Sequence, residues 1–208
     1  MLQGFAPVTL AVFAALAIMS VAALTVILFK TAQFRRLGVG RTREGEAVLD
    51  DWLNGRPDEA VRKAGAGRGV VVRVLLAVIQ GLRARPNDPA YGEELGRQAA
   101  LVELAAMNGR MRLLEAVVQG APMIGLLGTV IGMIDAFSAL SSTGQAADPQ
   151  LLAAGIWTAL TTTAAGLAIA LCTFFVANWL ESRIDSERNR IEMAISAAIH
   201  GRVTGGAR

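Results

Sequence analysis

GAPMIGLLGTVIGMIDAF, Gly120 to Phe137, is the stretch that decides how this chain is read. It is apolar enough to enter a membrane, yet it carries a glycine every few residues, one threonine and one aspartate. Gly125, Gly128, Gly132 and Ala136 recur at helical spacing and clear one side of the helix of bulk, so another helix can press close. Thr129 lies beside that bare stripe, and Asp135 falls nearly under Gly128 on the next turns. An ionisable group at membrane depth costs at least a few kcal/mol and marks function by default. The competing reading puts Asp135 at the outer end of the span, meeting headgroups and water, because the polar loop Ser141-Ser142-Thr143 follows closely.

Composition places this stretch in a membrane chain. Of 208 residues, 53% are hydrophobic, 18% charged and 5% aromatic, with 22 glycines; the mean hydropathy is +0.46. Such values argue against an ordinary soluble domain. Three segments reach the roughly 20 residues a span requires, 5–29, 116–140 and 151–180. The net charge of +3 raises the question of nucleic acid, and the placement of charge answers it. None of the 20 Lys and Arg lies in the first 29 residues, in a span or in the 141–150 loop. All fall between Lys30 and Arg112 or from Arg183 onward. This positive-inside asymmetry predicts the N-terminus outside, 30–114 inside, 141–150 outside and the C-terminus inside, with no nucleic-acid partner.

The predicted fold is an all-α membrane protein, with three transmembrane helices, a cytoplasmic helical bundle and long helices reaching into the cytoplasm. Four parts are expected: 1–29, the periplasmic N-terminus and first span; 30–114, the cytoplasmic segment; 115–180, the second and third spans; and 181–208, a cytoplasmic helical extension and tail. Residues 1–4 carry no charge, so the first segment reads as an uncleaved span, with Lys30, Arg35 and Arg36 anchoring its inner end. Val48, Leu49, Trp52 and Leu53 form the apolar side of a short amphipathic helix, and Pro57-Asp58-Glu59 opens another. Gly65, Gly67 and Gly69 read as a loop; the Lys-Ser/Thr of a phosphate-binding loop does not follow them. Val70–Ile79 is too short to span and is expected as a buried bundle helix.

From Tyr91 a helix patterned on Leu95, Ala99, Val102 and Ala106 is expected to run into the second span with little interruption, loosened at most at Gly109. Glu93, Glu94, Arg97 and Glu103 read as its solvated face. Asp148-Pro149 suits the start of the third span, where Gly155, Ala159, Thr162 or Thr163, Gly166 and Ala170 again form a small-residue face. No proline or glycine occurs between Gly166 and Gly201, so this helix should continue some 30 Å past the membrane. Glu181, Asp185, Arg188 and Glu192 would coat that extension.

Little catalytic chemistry is available. The lone Cys172 and lone His200 would stand about 40 Å apart on one helix, and no metal-ligand or nucleotide motif appears. No cofactor and no enzymatic activity are expected. What remains is a polar line in apolar helices: Thr129 on the second span and Thr158, Thr161, Thr162 and Thr163 on the third. A threonine in a helix often bonds only to its own backbone. Four in six residues, on a close-packing helix, could also line a narrow hydrated path or receive a partner helix.

GAPMIGLLGTVIGM, followed after a short loop by GIWTALTTTAAGLAIAL, resembles the MotA/TolQ/ExbB proton-channel family, closest to its ExbB/TolQ branch. The A-P-x-x-G-L-x-G-T-V and T-A-x-G-L motifs carry the resemblance over about 113–195. It implies a homopentamer of three-span subunits in the bacterial inner membrane, around a single-span ExbD/TolR-like partner whose aspartate carries the proton. Ion flow would then drive work on a periplasmic or outer-membrane system, through a TonB/TolA-like protein. The resemblance maps pore threonines onto Thr129 and Thr163. Many relatives have a glutamate where this chain has Thr158, and the third span here holds no acid. That departure leaves Asp135 as a candidate acidic vestibule and leaves Na⁺ open beside H⁺ as the transported ion. The candidate ion path is thus Thr129, Thr158, Thr162, Thr163 and Asp135; the candidate packing or partner-facing residues are Gly125, Gly128, Gly132, Gly155, Ala159 and Gly166. The alternatives are a non-conducting scaffold, a flagellar (MotA-like) stator subunit and, more remotely, a self-sufficient transporter, for which no inverted repeat is visible.

Overall fold

A computed structural model describes residues 7–142 and 149–201. Among the described residues the structure is all-helical: α1 (Pro7–Leu37), α2 (Thr42–Leu53), α3 (Pro57–Ala66), α4 (Val70–Ala84), α5 (Pro89–Asn108), α6 (Met111–Ser142) and α7 (Pro149–His200). Three helices, α1, α6 and α7, are long and apolar enough to cross a membrane, and the chain is a multi-pass membrane protein. The expected starts at 1–4 and in the 143–148 loop, and the tail beyond Gly201, lie outside the described residues. The rest falls into two compact units, one from the described residues of 1–29 and 110–178, the other from those of 30–109 and 179–208.

In the first unit α1 buries a stripe of Thr9, Val12, Leu16, Ala23 and Val26, spaced at three, four and seven residues. Val12 lies against Gly128 and Met19 against Gly120, so α1 and α6 run antiparallel in contact. The opposite faces show Ile18, Val21, Leu24 and Leu28 on α1, Leu126 and Val130 on α6, and Leu167, Leu171, Phe174 and Phe175 on α7. A helix whose backbone is satisfied internally and whose outer face is apolar is what lipid accepts.

The second unit is a bundle with a conventional aliphatic core. Val48 and Leu49 of α2, Ala60 and Ala64 of α3, and Val72, Leu75, Val78 and Ile79 of α4 close on Ala194 and Ala198 of α7. Pro57 opens α3 with Asp58 and Glu59 in its first turn. Asp88 caps α5 by accepting from the Tyr91 amide at 3.3 Å. Asp51, buried on α2, is held by Lys63 and by Arg56 at 2.8 Å. Its carboxyl is kept below the ordinary aspartate range, first by the hydrogen bond from Lys63 and then by the nearby positive charges, against the opposing effect of burial.

Several expectations need correction. The helix of Tyr91 is broken where Gly109 was expected to loosen it: α5 ends at Asn108, and Arg110 takes a φ of +66° before α6 begins at Met111. The α5 carbonyls left open by that break are met by α1 side chains, Gln33 Nε2 donating to Ala106 O at 3.0 Å and Lys30 Nζ to Met107 O. Lys30 is therefore fully buried as a clamp rather than an interfacial anchor. The buried face of α5 is Gly92, Gly96, Ala100, Leu104 and Met107, while Val102 is 69% exposed and Ala106 is exposed as well. The reason lies in size: a Cβ on Gly81 would come 2.7 Å from Gly92 Cα, so α4 and α5 meet at their smallest residues rather than their largest. Glu103 does not belong to a solvated face. It forms a two-pronged pair with Arg73, at 2.5 and 2.7 Å. Leu53 is exposed, and Gly65 lies within α3, leaving 67–69 as the turn.

The α7 extension is unbroken to His200 and exposes Glu181, Asp185, Arg188 and Glu192. It is nonetheless no free-standing rod. Leu180, Ile184, Glu187, Ile191, Ala194 and Ala198 form a buried stripe at seven-residue spacing. Glu187 Oε1 accepts from the Gly40 amide at 2.5 Å and from Arg190 at 3.0 Å, tying the helix to the α1–α2 turn.

Candidate functional site at the α6–α7 crossing

α6 and α7 meet through their smallest residues, in antiparallel register. A Cβ on Gly125 would lie 2.8 Å from Thr162 O and 3.0 Å from Thr163 Cα. One on Gly132 would lie 3.0 Å from Ala159 Cβ, and one on Gly155 2.7 Å from Ala136 Cβ. Gly166 sits against the Ala121 carbonyl, with no room for a methyl group. The pairings 121–166, 125–162, 132–159 and 136–155 thus follow one another down the seam. With helix axes so close, backbone and hydroxyl groups reach across from one helix to the other.

Two of the threonines do so. Thr162, fully buried, places Oγ1 3.1 Å from Gly125 O and 2.7 Å from Ala159 O, so its single proton is shared between a carbonyl across the seam and one on its own helix. Thr163 Oγ1 donates to the same Gly125 O at 3.0 Å and is half-buried. A hydroxyl that donates in this way still offers lone pairs to a water or a hydrated proton. Pro122, one turn earlier in α6, supplies no amide, which leaves a polar carbonyl in the same stretch of helix.

The other candidates are placed differently. Thr129 is half-buried, donates to Leu126 O at 2.6 Å, and lines an open cleft of about 560 Å³ with Val130, Met133, Ile134 and Phe137. Thr158 is half-buried, whereas Asp135 is exposed. Thr161 is exposed and bonds back to Trp157 O at 2.8 Å. The structure therefore joins Gly125, Gly128, Gly132, Gly155, Ala159, Gly166, Thr162 and Thr163 at one crossing, with Thr129 in a separate cleft and Asp135 exposed. Two buried hydroxyls of the same unit escaped the sequence reading, Thr9 on α1 and Thr173 on α7. Thr9 belongs to the buried stripe of α1, and that spacing was the available signal. Thr173 donates to Ile169 O at 2.8 Å and is marked by no motif. Cys172 is exposed, as is His200.

Comparison with known proteins covers this crossing. The MotA/TolQ/ExbB proton channel family matches residues 69–193. A putative biopolymer transport protein ExbB homolog of Methanothermobacter thermautotrophicus is 34% identical over 147 residues, 71% of this chain and 50% of its own length. Biopolymer transport protein exbB1 of Vibrio cholerae is 36% identical over 89 residues, 43% of this chain and 39% of its own. The Tol-Pal system protein TolQ of Haemophilus influenzae is 39% identical over 84 residues, 40% of this chain and 36% of its own. The chain spans half the length of these relatives or less. Small-residue seam, inward hydroxyls and matched region coincide, and the chain belongs to the MotA/TolQ/ExbB proton channel family, on its ExbB/TolQ branch.

Proposed function

We propose that this chain is the multi-span subunit of a proton-conducting motor of the ExbB/TolQ kind. It would assemble as a ring, most simply of five copies, around a single-span ExbD/TolR-like subunit in the bacterial inner membrane. The bundle would lie on the cytoplasmic side, where the positive-inside asymmetry puts the basic residues. Protons rather than Na⁺ are the proposed ion. The observation that carries the reading is that the family match runs through both α6 and the apolar half of α7, the helices whose seam holds Thr162 and Thr163. One charge crossing 100 mV releases about 2.3 kcal/mol, enough to bias a modest rearrangement at each step. That work would pass to a periplasmic or outer-membrane system through a TonB/TolA-like protein. In this proposal Thr163 lines the path at the seam and Thr129 lines it from the separate cleft on α6, with Thr158 as a further hydroxyl and Asp135 as an acidic mouth.

One observation favours a second reading. The protons of Thr162 and Thr163 are already donated to Gly125 O or Ala159 O, as they would be in a purely structural seam of a non-conducting scaffold. Proton uptake into vesicles carrying the chain with its single-span partner separates the two. Under the channel reading Thr129→Val and Thr163→Val each lower the flux about tenfold or more while the complex stays assembled. Full flux in both variants removes the pore assignment, and loss of assembly with flux per complex unchanged makes the chain a scaffold.

A further inference from the structure

Just before α6 the backbone adopts a conformation that glycine would take more easily. Arg110 has a φ of +66°, and among the described residues it is the one non-glycine in that left-handed region. A β-carbon there crowds the following carbonyl, so the conformation favours glycine. Gly109 stands immediately before it, yet takes a φ of −49° that any residue can adopt. The strain therefore falls on an arginine, and strain of this kind gathers where a side chain has to be presented.

The guanidinium is presented on an aromatic platform. Its central carbon lies over the Phe29 ring, 4.2 Å from the ring centre. Phe29 closes the apolar run of the first span, and Leu113 stands shortly before that of the second. Both are exposed, as are Arg110 and Arg112. Among the described residues neither arginine has a carboxylate within ion-pair distance, although Glu115 follows Arg112 by one turn. A free guanidinium fork meets two phosphate oxygens at once. An exposed ring and leucine beneath it, at the end of two spans, suit the glycerol and upper chain carbons of a lipid.

We propose that Arg110, stacked on Phe29 and joined by Arg112, binds the headgroup phosphate of an anionic phospholipid. Which leaflet supplies the lipid rests on the orientation proposed above; the binding does not. The test titrates phosphatidylglycerol into the full chain with its single-span partner in neutral detergent micelles. Micelles have no sides and no proton flux is read, so failure of the channel reading leaves the result intact. The readout is the lipid concentration that gives half the rise in melting temperature. Arg110→Gly removes the guanidinium and suits the left-handed backbone. It should raise that midpoint about tenfold, the effect of a lost charge-assisted pair, with the lipid-free melting temperature held within about 2 °C. Phe29→Leu leaves the backbone and the apolar base in place, and should raise the midpoint about threefold; it carries the test if Arg110→Gly melts low without lipid. Arg36→Gln, an equally exposed charge at the basic end of α1, should shift the midpoint less than about twofold. An unchanged midpoint in Arg110→Gly and Phe29→Leu overturns the proposal. So do equal losses in Arg110→Gly and Arg36→Gln, which leave only a diffuse basic surface, and so does equal potency of phosphatidylcholine. Inorganic phosphate should give no rise; a rise matching that of phosphatidylglycerol overturns the lipid and leaves a site for soluble phosphate.

Discussion

Where α6 meets α7, the touching residues are Gly125, Gly132, Gly155, Ala159 and Gly166; where α4 closes the bundle, they are Val72, Leu75, Val78 and Ile79. The contrast follows from the solvent each region is built for. In water, burying aliphatic side chains stabilises at about 25 cal/mol per Å², so the bundle gathers bulk at its centre. Lipid is as apolar as leucine and offers no such gain, so helices there associate through close backbone approach and hydrogen bonds. The seam therefore keeps hydroxyls and carbonyls facing one another in an apolar unit, while the bundle sends its charges to the rim or pairs them. A polar path can be built from the first arrangement and not from the second.

If that division is right, the two regions break in different ways. The largest effect is expected from Ile79→Ala, which opens a cavity in a fully buried site. It should cost the bundle about 4 kcal/mol, read as a lower melting temperature in detergent, with proton flux per folded complex preserved. Next comes Gly166→Val, whose branched side chain meets the Ala121 carbonyl. It should cost about 2–3 kcal/mol and remove flux as well, because the seam must spread. Flux preserved in Gly166→Val would detach conduction from the crossing.

Thr162→Val is a smaller change, expected to cost about 1 kcal/mol for a lost buried hydrogen bond. Thr161→Val, at an exposed hydroxyl one residue away, should stay within about 0.5 kcal/mol. Equal losses at both positions would mean that the seam geometry does not govern the hydroxyl energetics. The smallest effect at neutral pH concerns Asp51. Because its folded-state pKa is lowered by Lys63, its contribution is complete above the unfolded value of 3.8 and disappears as the pH falls below that point through the folded value. The bundle should lose melting temperature below about pH 4, and Asp51→Asn should flatten that acid limb. An unchanged limb would show that the Asp51 pair contributes nothing to it.

How far the sequence could be read follows the same division. Small residues at three- and four-residue spacing, glycines in α6 and glycine, alanine and threonine in α7, announced close helix approach there. The same glycine signal was overlooked in α5, where Gly92 and Gly96 are the buried residues and the larger Val102 is not. There the apolar pattern pointed the wrong way, because a tight crossing buries what is small. Gly109 marked the place of the break but not its extent: the left-handed residue is Arg110, and the side chains that meet the open α5 carbonyls, Lys30 and Gln33, lie more than seventy positions away. Glu103 looked like a solvated charge for the same reason, its partner Arg73 lying on another helix thirty positions away.

The most direct test of the account is proton flux per assembled complex in Thr163→Val and Thr163→Ser, measured together in partner-containing vesicles under an imposed potential. The hydroxyl at the seam is the feature in question, and serine keeps it while valine keeps only the shape. The account predicts near-normal flux for Thr163→Ser and a loss of about tenfold or more for Thr163→Val, with equal assembly. Normal flux in Thr163→Val would contradict it.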